Sequence, residues 1–499
     1  MYFQNGKQST FAILGMLAIF AYWPSILIYH ALPVVILNDS VTYLDLTRYF
    51  AAGGFFPDYF GSKGHLHPWI NYPMGYPLFL DLCRYFSGGL GWGRAVIFFQ
   101  HVLSLFSVLL LFMIGQRMGY SKAGFCAALA YALYLPRVLY AQSIMAESLF
   151  IFLSLLSVYI FFGILSGKSN MRDGIGLGLA VAYAVLTKPL GVLSVIIFLV
   201  YFLVYSVDKR VILGFFFSFA VLVFSNVLYN WHNYGEFALT NTSGSHLANR
   251  VIAFDRSIDK NNPETREIIS QCRESGLAFR FPSEWWFYLR ALRANGLSPR
   301  EADHLMMQAS LAGIRLHPLK FVGNTWEAFK SNTIEEDHWI DQWLLTKQDY
   351  LSYLREWSDY RGGALPNDGE GWHYVINLAR KFLSPLEFES RHKVLKTMAI
   401  DYPQGPRHTL GMRWINLFDK GILKWKGWMA WAFMIAWAYA FFTRDRAMLF
   451  LSLFTVINLL LVAVFEAPYP RYFESFVPLA MLSVFLAVYR FYYQCRSGA

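Results

Sequence analysis

Long apolar runs restrict this chain more than any other feature: Ala95 to Ile114, Ser148 to Leu165 and Ala447 to Phe465 each contain no Asp, Glu, Lys or Arg. A helix of about 20 such residues crosses the hydrocarbon core of a bilayer, and backbone in lipid must satisfy its own N–H and C=O groups. Helices are therefore imposed wherever these runs enter a membrane. The remaining composition agrees: 15% of the 499 residues are charged and mean hydropathy is +0.34, against roughly 25% charged residues in soluble domains. A purely soluble enzyme is excluded.

Hydropathy predicts about ten spans, at 11–37, 94–115, 123–140, 148–166, 174–187, 190–206, 211–229, 425–442, 447–465 and 475–492. The fold class expected is an all-α polytopic membrane protein. The first run is too long for a signal-peptide core and lacks a small-residue cleavage pattern, so it reads as a retained span. One set of connecting segments holds Lys7, Arg117, Lys122, Lys168, Arg172, Lys209, Arg210, Arg444, Arg446, Arg490 and Arg496, against only Asp173, Asp208 and Asp445. The positive-inside tendency makes that set, and both termini, cytoplasmic. The same tendency accounts for the net charge of +10 without nucleic acid, for which no motif is present. Cys83, Cys126, Cys272 and Cys495 lie in separate segments without CxxC or Cys/His spacing, which argues against a disulfide framework or a zinc site.

The division expected is an N-terminal transmembrane module, 1–229, with an outer loop at 38–93; an extracytoplasmic domain, 230–424; and a C-terminal transmembrane module, 425–499. Long polar pieces are translocated largely regardless of charge. The outer domain reads as mostly helical, at Glu301 to Arg315 and Gln342 to Tyr360, before a glycine-rich break from Gly362 to Gly371. Trp285, Trp286, Trp339, Trp343 and Trp357 in it suit headgroup or sugar contacts and equally suit plain packing.

Polar residues gather at the outer ends of the spans. After the first span, Asp39 precedes an apolar stripe, Tyr43, Leu44, Leu46 and Phe50, at helical spacing, as in an amphipathic helix on the membrane surface. Asp39 reads either as its N-cap or as a general base at the membrane boundary. The loop continues through His65 and His67, which suit phosphate or metal but also plain solvated surface. It ends in Asn71-Tyr72-Pro73-Met74-Gly75-Tyr76-Pro77, a turn-rich lead into the next helix. Glu147 opens the fourth span, where a carboxylate also favours the helix N-terminus. Lys188 and Arg471 lie in short outer turns where basic residues are scarce, which points to an anion; snorkelling, or an ion pair with Glu466 or Glu474, is the alternative.

In order along the chain, these segments are Asp39-Ser40-x-x-Tyr43-x-x-Leu46-x-Arg48, Tyr72-Pro73-x-Gly75-Tyr76-Pro77-Leu78, Glu147-Ser148-Leu149, Thr187-Lys188-Pro189, Asn230-Trp231-His232-Asn233-Tyr234-x-x-Phe237, His317-Pro318 and Pro470-Arg471-Tyr472. The ordered set resembles the GT-C superfamily of polytopic glycosyltransferases with lipid-linked donors, especially the protein O-mannosyltransferase and aminoarabinose lipid A transferase branch. The resemblance implies a GT-C-like bundle. It also implies inverting transfer of a sugar from a polyprenyl-phosphate donor to a lipid, glycan or protein acceptor at the outer face of a bacterial inner membrane. It places the catalytic base on Asp39 with Glu147 as a second carboxylate, and donor-phosphate binding on Lys188 and Arg471. Tyr43, Arg48, His65, His67, Tyr72 and Tyr76 become substrate-binding candidates. The mannosyltransferase branch pairs two acids where this chain has Asp39-Ser40, and the 230–424 segment is longer than a simple member needs.

No resident cofactor is implied and no metal ligand set is assigned. A divalent cation stays open because Glu335-Glu336-Asp337-His338 is oxygen-rich, although a charged solvated loop explains it more simply. The competing functions are a secondary transporter, for which repeats and midplane polar residues are expected and not seen in the sequence, and a non-enzymatic envelope assembly protein.

Overall fold

The structure is a computed structural model that describes residues 6–31, 72–87, 92–167, 169–274, 295–334, 425–465 and 471–497, with positions 43 and 292. Asp39, Arg48, His65, His67, the tryptophans at 285, 286, 339, 343 and 357, the 335–338 cluster, the 342–360 helix and the 362–371 break lie outside the described residues. Regular structure among the described residues is helical, as expected.

In chain order the helices are α1 (Gly6–Ala31), α2 (Gly75–Phe86), α3 (Trp92–Arg117), α4 (Ser121–Ala132), α5 (Leu135–Gln142), α6 (Glu147–Leu165), α7 (Met171–Thr187), α8 (Val192–Val204) and α9 (Lys209–Tyr234). Then come α10 (Ser243–Ala248), α11 (Pro263–Glu274), α12 (Pro299–Leu316), α13 (Pro318–Ile334), α14 (Trp425–Thr443), α15 (Arg446–Phe465), α16 (Arg471–Glu474) and α17 (Val477–Ser497). Among the described residues, five helices are long and apolar enough to cross a membrane: α1 from Thr10 to His30, α3, α6, α9 to His232, and α15. The bent pair α4 and α5 makes a sixth if counted as one span. The ten apolar runs include shorter helices that this length criterion leaves out. The described parts of all ten runs fall on these helices. Pro189 separates α7, of 17 residues, from the short apolar helix Pro189–Val204. α14 is short over its apolar part, Met429–Thr443, and α17 carries Arg490 in its second half.

The bend of 54° between α4 and α5 has a local cause. Pro136 stands in the first turn of α5 and Tyr134 is extended, so the chain leaves α4 and restarts in a new direction. The buried guanidinium of Arg137 secures the junction by donating to Ala132 O (2.8 Å) across the break, to Ser104 Oγ (2.6 Å) on α3 and to Ala21 O (3.2 Å) on α1. Elsewhere small residues let backbones meet. A Cβ on Gly178 of α7 would run into Phe215 O and Ser218 Oγ of α9, so only glycine permits that approach.

An aromatic cluster joins α6, α8, α9 and α15. Phe161 of α6 stacks on Phe450 of α15 at 4.5 Å between centroids and meets Phe198 of α8 at 5.0 Å, while Phe202 and Phe215 lie 5.5 Å apart. Such ring pairs add about 0.5–1.5 kcal/mol each beyond area burial. Among the described parts of 230–424, α12 begins at a capping box, Ser298 with Glu301, and covers the predicted 301–315 helix. The segment is tied to the bundle by Arg250, which pairs with Asp255 and donates through Nε to Ala463 O (3.0 Å) near the end of α15. Burial lowers the Arg250 pKa to about 10.

The packing makes the cysteines unequal. Burial pushes the thiols of Cys83 in α2 and Cys272 in α11 up to about 12, whereas Cys495 is exposed. Because the thiolate is the reacting species, alkylation at pH 8 should proceed on the order of a hundredfold faster at Cys495 than at either buried thiol. Peptide mapping of the detergent-solubilised protein measures this, and equal rates at the three positions would contradict the packing of α2 and α11.

Candidate functional site

The Thr187-Lys188-Pro189 turn is built by its proline. The residue before proline is driven from the helical region. Lys188 is accordingly extended (φ −144°, ψ 124°), and its N–H still closes the last turn of α7 on Ala184 O (2.8 Å). Its side chain leaves the helix axis and meets Glu147, the first residue of α6, at 2.8 Å from Nζ to Oε1. The side chains of Lys188 and Glu147 are 11% and 1% exposed. Each charge occupies the helix end whose dipole favours it, the cation at a C-terminus and the carboxylate at an N-terminus. Glu147 Oε2 has no hydrogen-bond partner among the described residues. The alternative that the sequence offers for Lys188, an ion pair with Glu466 or Glu474, does not include this contact with Glu147.

The Tyr72 to Pro77 segment is pressed against the same turn. A Cβ on Gly75 would lie 2.5 Å from Leu186 C and 2.7 Å from Thr187 N, and Tyr183 of α7 donates its hydroxyl to Gly75 O (3.0 Å). Any side chain at position 75 would push the two motifs apart. Next to Gly75, Tyr76 is buried and packs on Tyr43 at 4.7 Å between centroids; Tyr43 also meets Tyr72 at 4.5 Å. The Tyr76 hydroxyl donates to Gln100 Oε1 (2.7 Å). Burial first, then the Glu147 carboxylate and Cys83, hold the Tyr76 phenol well above its ordinary pKa, so it acts as a neutral donor.

A second wall comes from the far end of the chain. Lys188 Nζ lies 5.9 Å from the centroid of Phe150, and Phe150 meets Phe476 edge-on at 6.1 Å. Just before Phe476, the buried carboxylate of Glu474 accepts from Tyr134 Oη at 3.0 and 2.8 Å. α16, which begins at Arg471, is thereby anchored to the α4–α5 junction.

Of the sequence candidates, the structure brings together Glu147, Lys188, Tyr43, Tyr72 and Tyr76. For Arg471 it gives the backbone position at the start of α16. Asp39, Arg48, His65 and His67 are outside the described residues. Sequence reasoning missed Gln100 and Tyr134, and named Glu474 only as an alternative ion-pair partner of Lys188 or Arg471. Gln100-His101 carried a signal, two polar side chains inside a run otherwise free of charge, which is the usual mark of function or of obligatory hydrogen bonding in a span. Among the described residues no three His, Cys, Asp or Glu side chains are grouped to hold a metal ion.

Residues 71–230 match the family model described as dolichyl-phosphate-mannose-protein mannosyltransferase. No curated protein matches the sequence. Among solved structures, the apo oligosaccharyltransferase of Archaeoglobus fulgidus shares 13% identity at a TM-score of 0.43, covering 97% of this chain and 51% of that one. Apo ArnT from Cupriavidus metallidurans shares 15% identity at a TM-score of 0.38, with 85% and 80% covered. The Archaeoglobus AglB complex with an inhibitory peptide and a dolichol-phosphate shares 10% at 0.39, with 96% and 50% covered. This chain thus spans about half the length of the archaeal enzyme.

The ion pair sets a stability prediction. Removing one partner of a buried pair strands the other charge, at about 3–5 kcal/mol, whereas removing both relieves much of that cost. Lys188→Ala should therefore lower the thermal midpoint in detergent, and Glu147→Gln combined with Lys188→Ala should recover part of the loss. Purely additive losses would show that the two side chains are not coupled.

Proposed function

We propose that this chain is a membrane glycosyltransferase of the GT-C superfamily, an inverting transferase using a polyprenyl-phosphate-linked sugar, a reading supported by the match of residues 71–230 to the mannosyltransferase family model. The acceptor is a lipid, glycan or protein, reached on the extracytoplasmic side of a bacterial inner membrane. The observation that carries this reading is the Lys188–Glu147 pair, wedged between the tyrosine-proline segment and the Phe150–Phe476 contact where two apolar helices end. A donor anchored by its prenol tail presents its anomeric carbon at such helix ends.

In this reading Asp39 removes the acceptor proton as the acceptor oxygen attacks the anomeric carbon. The bond from that carbon to the phosphate oxygen breaks, and polyprenyl phosphate departs with the bonding electrons. Phosphate is a good leaving group and needs no general acid. What it needs is positive charge where its own charge grows, and Lys188 and Arg471 supply it. Tyr43, Tyr72, Arg48, His65 and His67 are assigned to the sugar or acceptor. Glu147 holds Lys188 in place.

General-base assistance contributes about 10²- to 10⁴-fold. Asp39→Asn should reduce sugar transfer from a lipid-linked donor in membranes by that order while leaving expression and thermal stability unchanged. Undiminished transfer by a folded variant would overturn the assignment of the base. Transport without any glycosylated product would favour the secondary-transporter reading.

A further inference from the structure

Glu147 is the first residue of its helix, with Ala146 as an N-cap that makes no side-chain hydrogen bond, so α6 itself does little to aim it. Its direction is set by the turn that precedes it. That turn is extended at Ser143 (φ −104°, ψ 147°) and doubles back sharply, Met145 N donating to Ser143 O at 2.8 Å. Such a turn leaves backbone carbonyls pointing into an apolar bundle, where each has to be answered.

The answer comes from α3. Gln100 is completely buried. Its amide nitrogen donates to Ala141 O (3.1 Å) and to Ser143 O (2.6 Å), and its amide oxygen accepts the hydroxyl of Tyr76 (2.7 Å). Both amide hydrogens are thereby used. The next residue, His101, meets Gln142 through Nε2 and Oε1 at 2.9 Å. Two consecutive residues of α3 thus hold three consecutive residues of the turn. The Tyr76 end of the same link continues to Gly75, which is pressed on Leu186 and Thr187 beside Lys188. A closed circuit runs from Lys188 through Gly75, Tyr76, Gln100 and the 141–143 turn to Glu147, and back across the ion pair to Lys188.

We propose that Gln100 is a positioning residue of this site: by holding the carbonyls of Ala141 and Ser143 and the phenol of Tyr76 together, it fixes the turn that presents Glu147 to Lys188. Gln100 touches no reacting atom. Its consequence for catalysis rests on the transferase reading above; its consequence for the ion pair does not. A leucine of similar size keeps the packing but answers none of the three polar groups. Tyr76→Phe removes one bond of the three and leaves the amide on both carbonyls.

The test uses the full chain in detergent, with wild type, Gln100→Leu, Tyr76→Phe and Glu147→Gln compared by amine acylation of Lys188, read by mass spectrometry against Lys122 and Lys209 as internal references. Acylation requires the amine to leave Glu147. Glu147→Gln defines the rate of the released amine. Gln100→Leu should approach that rate, roughly tenfold above wild type for the loss of a buried hydrogen-bond set, and Tyr76→Phe should fall between. Wild-type rates at Lys188 in folded Gln100→Leu overturn the inference. If Gln100→Leu does not fold, Tyr76→Phe decides, and a wild-type rate there overturns it equally. In parallel, transfer assays with a polyprenyl-phosphate sugar should show the donor KM of Gln100→Leu rising severalfold while the acceptor KM holds, a split that general loosening of the fold does not produce. If wild type transfers no sugar while acylation follows the predicted order, the positioning role stands and the transferase reading falls. If wild type transfers sugar and acylation of Lys188 is unaffected by Gln100→Leu, the reverse holds.

Discussion

A charge taken out of water has to be met by another charge, by a dipole or by hydrogen bonds, and the arrangement around Glu147 and Lys188 follows from that constraint. Neither side chain has enough exposure for water to solvate it, at 1% and 11%. The helix dipoles contribute, since α6 begins and α7 ends at the same place, but they account for only a fraction of the cost of burial. Direct contact supplies the rest, which forces the ends of two helices together although their paired residues are 41 positions apart.

The same rule appears twice more with different partners. Arg137 is a buried cation answered by two carbonyls and a hydroxyl: Ala132 O lies at the α4–α5 junction, where the helix breaks, Ala21 O lies on α1 and Ser104 Oγ on α3. Arg250 is answered by Asp255, and its Nε turns to a carbonyl in the last turn of α15. In each case an arginine closes a place where regular helix hydrogen bonding stops. Arginine suits this because its planar fork meets several acceptors in fixed directions.

These rules explain what could be read from the sequence. The helical class followed from charge-free runs, and the turn at Lys188 followed from Pro189, because both depend on neighbouring residues alone. Gly75 was legible as part of a turn, but its need to be glycine was not, since that need comes from Leu186 and Thr187, more than a hundred positions away. The pairing of Lys188 with Glu147 was not legible for the same reason: Glu466 and Glu474 were the partners in the sequence reading, and the packing of α6 against α7 is what brings Glu147 to Lys188. Gln100 was visible as a polar residue in a span, yet its task is defined by the turn at 141–143, whose carbonyl directions no composition encodes.

Pairing with Glu147 also bears on how Lys188 serves a phosphate in the proposed reaction. A neutral pair creates little long-range field, so an approaching anion gains from Lys188 only at close range, along ammonium hydrogens directed away from Glu147. An ammonium has three N–H donors in all, and one points to Glu147 Oε1. The carboxylate thus does opposite things to the two states of the cation. It lowers the cost of holding an ammonium among apolar helices before substrate arrives, and it repels a phosphate that comes too near afterwards. A second cation would therefore share the charge that develops on the departing phosphate. In the proposed site Arg471 is that second cation, and the Tyr134–Glu474 contact that anchors α16 matters to the chemistry because it fixes the helix on which Arg471 stands.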